Sequence, residues 1–132
     1  MIIDVIALDK KSIRQKRSVV QHARRLGRLL SKKGVIEVYI VGSALMKKIN
    51  KTFRKKDVAT NVLSFEKPKN FPGFKLGEVY LDPAYITRHK EDMRLMLIHG
   101  VLHILGYDHM KKGDRINMEK RETELMRKLT LR

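Results

Sequence analysis

Apolar and polar positions along the chain follow two periods, and most of the expected elements can be read from the switches between them. Ile2 to Ala7 is a short run rich in β-branched residues and predicts a strand. A polar stretch from Asp9 to Arg17 follows. Ser18 with Gln21 then forms a capping-box pattern, and Val19, Ala23, Leu26 and Leu30 recur at helical spacing up to Lys32-Lys33-Gly34. Val35 to Val41 predicts a second strand. A helix from Ala44 to about Phe53 is expected next, with Leu45, Ile49 and Phe53 inward. Arg54 to Thr60 reads as a loop, Asn61 to Phe65 as a third strand, and Lys67 to Gly77, with Pro68, Pro72, Gly73 and Gly77, as an irregular connection. Glu78 to Leu81 predicts a fourth strand. Asp82-Pro83 marks a helix start that bends near His89 to Asp92.

Met93 to Leu105 is apolar almost all round, which predicts a buried central helix ended by Gly106. Asp114 is placed to cap a last helix reaching about Lys128. Strands early and helices late, with no repeat and no composition break, predict one α+β domain over residues 1–132. Its expected architecture is a small four-stranded mixed sheet packed on helices around the buried one.

Composition sharpens this picture in two ways. The chain has no cysteine, which excludes disulfides, thiolate metal sites and thiol nucleophiles and fits a reducing, cytoplasmic setting. Met1 to Asp4 has no basic leader pattern, and Leu95 to Leu105 is too short for a bilayer, so neither a secretory leader nor a membrane span is expected. The net charge is +16, and it is concentrated: Lys10 to Lys56 holds 16 Lys plus Arg and one acid, Glu37. A block this basic points to a polyanion, nucleic acid before a membrane surface, bound through phosphate contacts and counterion release. Lys47, Lys48, Lys51, Lys55 and Lys56 are the candidates for positioning such a strand by its backbone.

The candidate chemistry lies in HGVLHILGYDH, residues 99 to 109. His99 and His103 are four apart on one helix face, Gly106 permits a sharp turn, and His109 can swing back toward them. Three imidazoles and one open position make a catalytic metal site, with zinc the first choice and nickel, copper or iron also suited to the donor set. The spacing is that of H-x-x-x-H-x-x-G-x-x-H peptidases, but the position that carries their general-base Glu is Gly100 here. Asp108 is either a carboxylate serving His109 and proton transfer or a plain turn residue. His22 and His89 read as ordinary polar residues. Phe53 reads as core, while Phe71 and Phe74 are the better candidates for a base contact or an adaptable lid.

The same segment resembles the signature of the YbeY family of bacterial endoribonucleases. Phe53 to Phe65 (FRKKDVATNVLSF) is similar to that family's second motif, and Gly77-Glu78-Val79-Tyr80-Leu81 to its G-[DE]-[IV] strand. Met118 and Glu122 fit its last helix. Ala59 and Glu66 stand where the family often has Pro. The resemblance runs from about Leu45 to the end of the chain. It implies a zinc site on His99, His103 and His109, and a functionally important arginine at Arg54. It further implies a single-strand-specific ribonuclease that acts in 3′ maturation of small-subunit ribosomal RNA and in ribosome quality control, with ribosomal RNA and small-subunit components as partners. The attacking group would be metal-activated water or the RNA 2′-hydroxyl.

Two other readings share these residues. A zinc peptidase would use the same three ligands but leaves Gly100 and the basic block unexplained. A non-catalytic RNA- or ribosome-binding module would need a fourth protein ligand, for which Glu78, Asp82 or Glu122 is available. The oligomeric state is left open.

Overall fold

The structure, a computed structural model, describes residues 1–68, 70–108 and 110–131. In chain order it comprises β1 (Ile2–Ala7), α1 (Ile13–Leu29), β2 (Val35–Ile40), α2 (Ser43–Arg54), β3 (Val62–Glu66), β4 (Lys75–Leu81), α3 (Pro83–Arg88), α4 (Met93–Ile104) and α5 (Lys112–Thr130). The strands form one mixed sheet in the order β1-β2-β4-β3. β1 and β4 run parallel to β2, and β3 runs antiparallel to β4. This is the expected α+β architecture.

Period-2 alternation gives the sheet two different faces. Ile36, Val38 and Ile40 of β2 and Val79 and Leu81 of β4 are fully buried, in one core with Val19, Ala23 and Leu26 of α1, Leu97, Ile98, Val101 and Leu102 of α4, and Met118, Leu125 and Leu129 of α5. The opposite face carries Tyr39 stacked on Tyr80, with ring centroids 5.0 Å apart, and Lys75 bridging Glu37 and Glu78. Each large aliphatic side chain sealed in the core contributes about 1.5–3 kcal/mol, so α4, with Leu97, Ile98, Val101, Leu102 and Ile104 buried, is the most firmly seated helix. None of its residues is fully exposed.

Three expectations are corrected. α1 starts at Ile13, with Ser12 at its N-cap position, so Ser18 and Gln21 are helix interior and not a capping box. The first turns of α1 face solvent, and their lone apolar residue, Ile13, is exposed, so no apolar stripe announces them. α2 turns Met46 and Asn50 inward and leaves Leu45 and Phe53 exposed, 37% and 62% respectively, so Phe53 is not core. β4 begins at Lys75, three residues before the predicted start, because Leu76 and Gly77 already pair with the neighbouring strands. In addition, α5 begins at Lys112, and Asp114 lies in its first turn without capping it.

Candidate active site

α4 crosses β3 and β4 closely because two glycines clear the way. A Cβ at Gly100 would come within 2.6 Å of Val79 Cγ1 and 3.0 Å of Val62 Cγ2. A Cβ at Gly77 would come within 2.7 Å of Ile104 Cδ1 and 2.5 Å of the Phe65 carbonyl oxygen. The Ser64 hydroxyl donates to the Gly100 carbonyl at 2.9 Å and ties β3 to the same turn of the helix. With Gly100 against the sheet, His99 and His103 turn outward. A cleft of about 1060 Å³ opens beside them, bounded by the unpaired edge of β3, the C-terminal end of α2 and the turn after α4.

The two imidazoles converge. Nε2 of His103 lies 3.1 Å from Nε2 of His99, and the rings stand edge to face. Oε2 of Glu122, on α5, lies 3.4 Å from Nδ1 of His99. A carboxylate at Nδ1 holds that nitrogen protonated and leaves the Nε2 lone pair directed at His103. Two nitrogens sharing a tetrahedral zinc at about 2.05 Å each stand about 3.3 Å apart, so the pair fits a shared cation. Gly106, with φ of +97°, ends α4 in a Schellman turn: its N–H donates to the His103 carbonyl at 3.1 Å, and the Tyr107 N–H to Leu102 at 3.0 Å. The turn carries the chain back toward the histidines. The third predicted ligand, His109, lies outside the described residues. Among the described residues alone no group of three His, Asp or Glu side chains converges to hold a metal. Asp108 lines the cleft and accepts from the Met110 N–H at 3.0 Å, a turn contact that leaves its second expected role, beside His109, open.

Arg54 reaches the cleft from the last turn of α2. Its guanidinium donates to the Ser64 carbonyl at 2.9 Å, on the free edge of β3, and sits 4.8 Å from the centre of the Phe65 ring. Phe65 is held in turn by Phe53 and Tyr80 through edge-on ring contacts of 5.3 and 5.8 Å. Of the five candidate lysines, Lys56 lines the cleft. Lys47 and Lys51 stand 3.9 and 4.0 Å from the carboxylate of Asp57, and Lys48 on α2 and Lys55 at its cap do not line the cleft. Phe71 and Phe74 are exposed, and Lys67 lies over the Phe71 ring; neither phenylalanine lines the cleft.

The site depends on residues that were not singled out for these roles. Ser64 and Phe65 anchor Arg54, and their alternation on β3, one to each face, was the available signal. Glu122 shares the inward stripe of α5 with Met118, Leu125 and Leu129. A carboxylate at that spacing has to face a partner. The other two possible fourth ligands are committed: Glu78 accepts from Lys75 and Tyr80 on the opposite face of the sheet, and buried Asp82 accepts from Ser43 and the Tyr85 N–H.

Comparison with known proteins bears on the family and the fold. The family model described as endoribonuclease YbeY matches residues 4–130. The chain belongs to the endoribonuclease YbeY family. It is 41% identical to the endoribonuclease YbeY of Anaplasma marginale over 103 residues, 72% of this chain and 67% of that protein. It is 37% identical to that of Neorickettsia sennetsu over 112 residues, covering 78% of each. Its fold is similar to the solution structure of a Thermotoga maritima protein, with a TM-score of 0.60 at 20% identity over 97% of this chain and 89% of the other. The YbeY model begins at Asp4, well before Leu45, where the resemblance read from motifs begins.

Proposed function

We propose that this chain cuts single-stranded RNA in the cleft between α4 and β3, as a metal-dependent endoribonuclease. Membership of the YbeY family makes it a hydrolase of RNA phosphodiester bonds, with ribosomal RNA processing as the implied setting. The observation that carries the proposal is the meeting of Arg54 with the His99–His103 pair in one cleft.

His99 and His103 would hold the metal, with His109 as the third ligand, and zinc suits three imidazoles without a thiolate. The chemistry a divalent zinc ion supplies there is Lewis acidity toward phosphate oxygens and acidification of water. The chain's own residues do the rest. Arg54 offers a planar fork to a phosphodiester, pre-set by the Ser64 carbonyl and the Phe65 ring, and stabilises the negative charge that grows on the phosphate as the bond breaks. Lys56 attracts the strand by its backbone. Glu122 fixes the ring and tautomer of His99.

The peptidase reading is disfavoured by Gly100, which faces Val79 and Val62 with no room for a general-base carboxylate. The structural-metal reading is disfavoured by the commitments of Glu78 and Asp82 and by the place of Glu122, which lies at Nδ1 of His99 and not at the Nε2 that faces His103. The finer role is 3′ maturation of small-subunit ribosomal RNA with a part in ribosome quality control, in the cytoplasm and in contact with small-subunit components. The +16 charge supports an RNA target. Among the described residues no helix is long and apolar enough to cross a membrane.

The test is incubation of zinc-loaded protein with an unstructured oligoribonucleotide and with the same sequence in a duplex, with and without chelator. Cutting of the single strand alone, stopped by chelator and restored by zinc, is expected. Cleavage of a peptide library with the RNA left intact overturns the proposal.

A further inference from the structure

The basic block divides in two. Arg54 and Lys56 reach the cleft, but the cations of α1 do not line it. α1 packs on β1, at the sheet edge opposite β3, and on α4 and α5. Its inward stripe is Val19, Ala23, Leu26 and Gly27. Its outward stripe is Arg14, Arg17, Gln21, Arg24 and Arg28, all exposed, at spacings of three and four that keep them on one side of the helix. Arg14 to Arg28 spans about 21 Å at 1.5 Å per residue.

Among the described residues the stripe has no counter-charges. α1 contains no acidic residue, and among the described residues Arg14, Arg17, Arg24 and Arg28 form no ion pair. The rest of the molecule is arranged differently. α5 mixes signs and pairs Glu124 with Arg121 and Lys128 at 3.1 and 3.0 Å. Arg25, beside the stripe, is occupied by the carbonyls of Lys128 and Leu131 at the end of α5. Four aligned guanidinium groups repel one another unless an anion lies across them.

The kind of anion follows from what the stripe lacks. No Phe, Tyr or Trp lies within α1, so it offers no platform on which unpaired bases could stack. It suits a partner whose bases are already stacked inside and which presents phosphates only. We infer that the outer face of α1 is a second RNA-binding surface, which grips the phosphate backbone of a duplex while the cleft takes single strand. The inference rests on the ribonuclease reading of the cleft. A substrate would then be a single-stranded segment flanked by a helix, held at two places on the protein.

The experiment uses the full chain and a blunt RNA duplex of about 16 base pairs, a length one double-stranded-RNA module covers. Binding is followed by fluorescence anisotropy across a salt series, beside cleavage of a single strand too short to reach α1. The triple variant R17Q/R24Q/R28Q is compared with R54A and with K112Q/K120Q/R127Q, an equal charge loss on α5. Thermal unfolding confirms that each variant folds.

The stripe variant should bind the duplex at least about tenfold more weakly near 0.1 M salt. The slope of log K against log salt should fall by about two to three, while cleavage of the short strand is unchanged. R54A should do the reverse. Unchanged duplex affinity and slope in the stripe variant overturns the inference, as does an equal loss in the α5 variant. Loss of binding to phosphatidylserine–phosphatidylcholine vesicles with the duplex unaffected also overturns it, in favour of a membrane. If the parent cuts no single strand yet its duplex binding depends on the stripe, the cleft reading fails and this one stands.

Discussion

Nδ1 of His99 lies 3.4 Å from Oε2 of Glu122, so the last helix of the chain orients a ring on the central one. The contact joins α5 to α4 at a position where α5 would otherwise bury an aliphatic residue, between Met118 and Leu125.

Glu122→Gln keeps the size of the side chain and removes its charge. Zinc affinity, measured by competition with a chromogenic chelator, should fall about 10- to 100-fold, the usual cost of losing a carboxylate behind a histidine ligand. The fold should persist, because Met118, Leu125 and Leu129 still seat α5. Unchanged affinity would separate Glu122 from the site.

Gly100 is a packing position. Gly100→Ala places a methyl group 2.6 Å from Val79 Cγ1, and overpacking of this kind costs about 1–3 kcal/mol. Urea unfolding should show that loss. Gly100→Glu should unfold the protein and not confer peptidase activity.

Arg54→Lys tests whether shape matters as well as charge. The lysine keeps the cation but loses the fork that joins Ser64 and the flat face against Phe65. Arg54→Ala should lower kcat about 10²- to 10³-fold, the cost of removing one preorganised donor, and the lysine variant should recover only part of it. Full activity in the lysine variant would reduce Arg54 to a point charge.

His22 couples stability to pH. Its Nδ1 is buried without a hydrogen-bond partner among the described residues. Burial first, then the nearby charges of Arg94 and Arg25, hold its pKa below the ordinary 6.5, against a weaker upward pull from Asp92. The folded state therefore takes up this proton less readily than the unfolded chain. Its contribution is complete above about pH 6.5 and is lost as pH falls below that value. His22→Gln removes this component. The stability advantage of the parent over the variant should shrink between pH 7.5 and 5.5 in matched unfolding curves, and parallel curves would contradict the assignment.

The elements with strong periodic patterns are legible in the sequence. α4 is the clearest case, because a helix apolar on all sides has nowhere to go but the core, and its two histidines then have to face a cleft. Asp82 before Pro83 marks the start of α3, and the Asp82 carboxylate accepts from the Tyr85 N–H at 3.1 Å. Solvent-facing turns are not legible. The first turns of α1 hold arginine and lysine on a helix whose core contacts begin only at Val19. Phe53 looks inward by its spacing with Ile49, yet it is anchored on Phe65 at the rim, a tertiary contact that no local pattern encodes. Candidate metal ligands can be named from spacing and turn chemistry. The partners that aim them, Glu122 and Ser64, come from other elements and become visible only when α5 and β3 are packed on α4.

The most direct test of the central claim, that the α4 histidines and Arg54 form one hydrolytic site, is cleavage of a single-stranded oligoribonucleotide by zinc-loaded parent, His103→Ala and Arg54→Ala proteins purified identically. The expected result is cutting by the parent and a loss of at least about 10²-fold in each variant, with both still folded. Equal cutting by all three would contradict the claim and place the activity elsewhere.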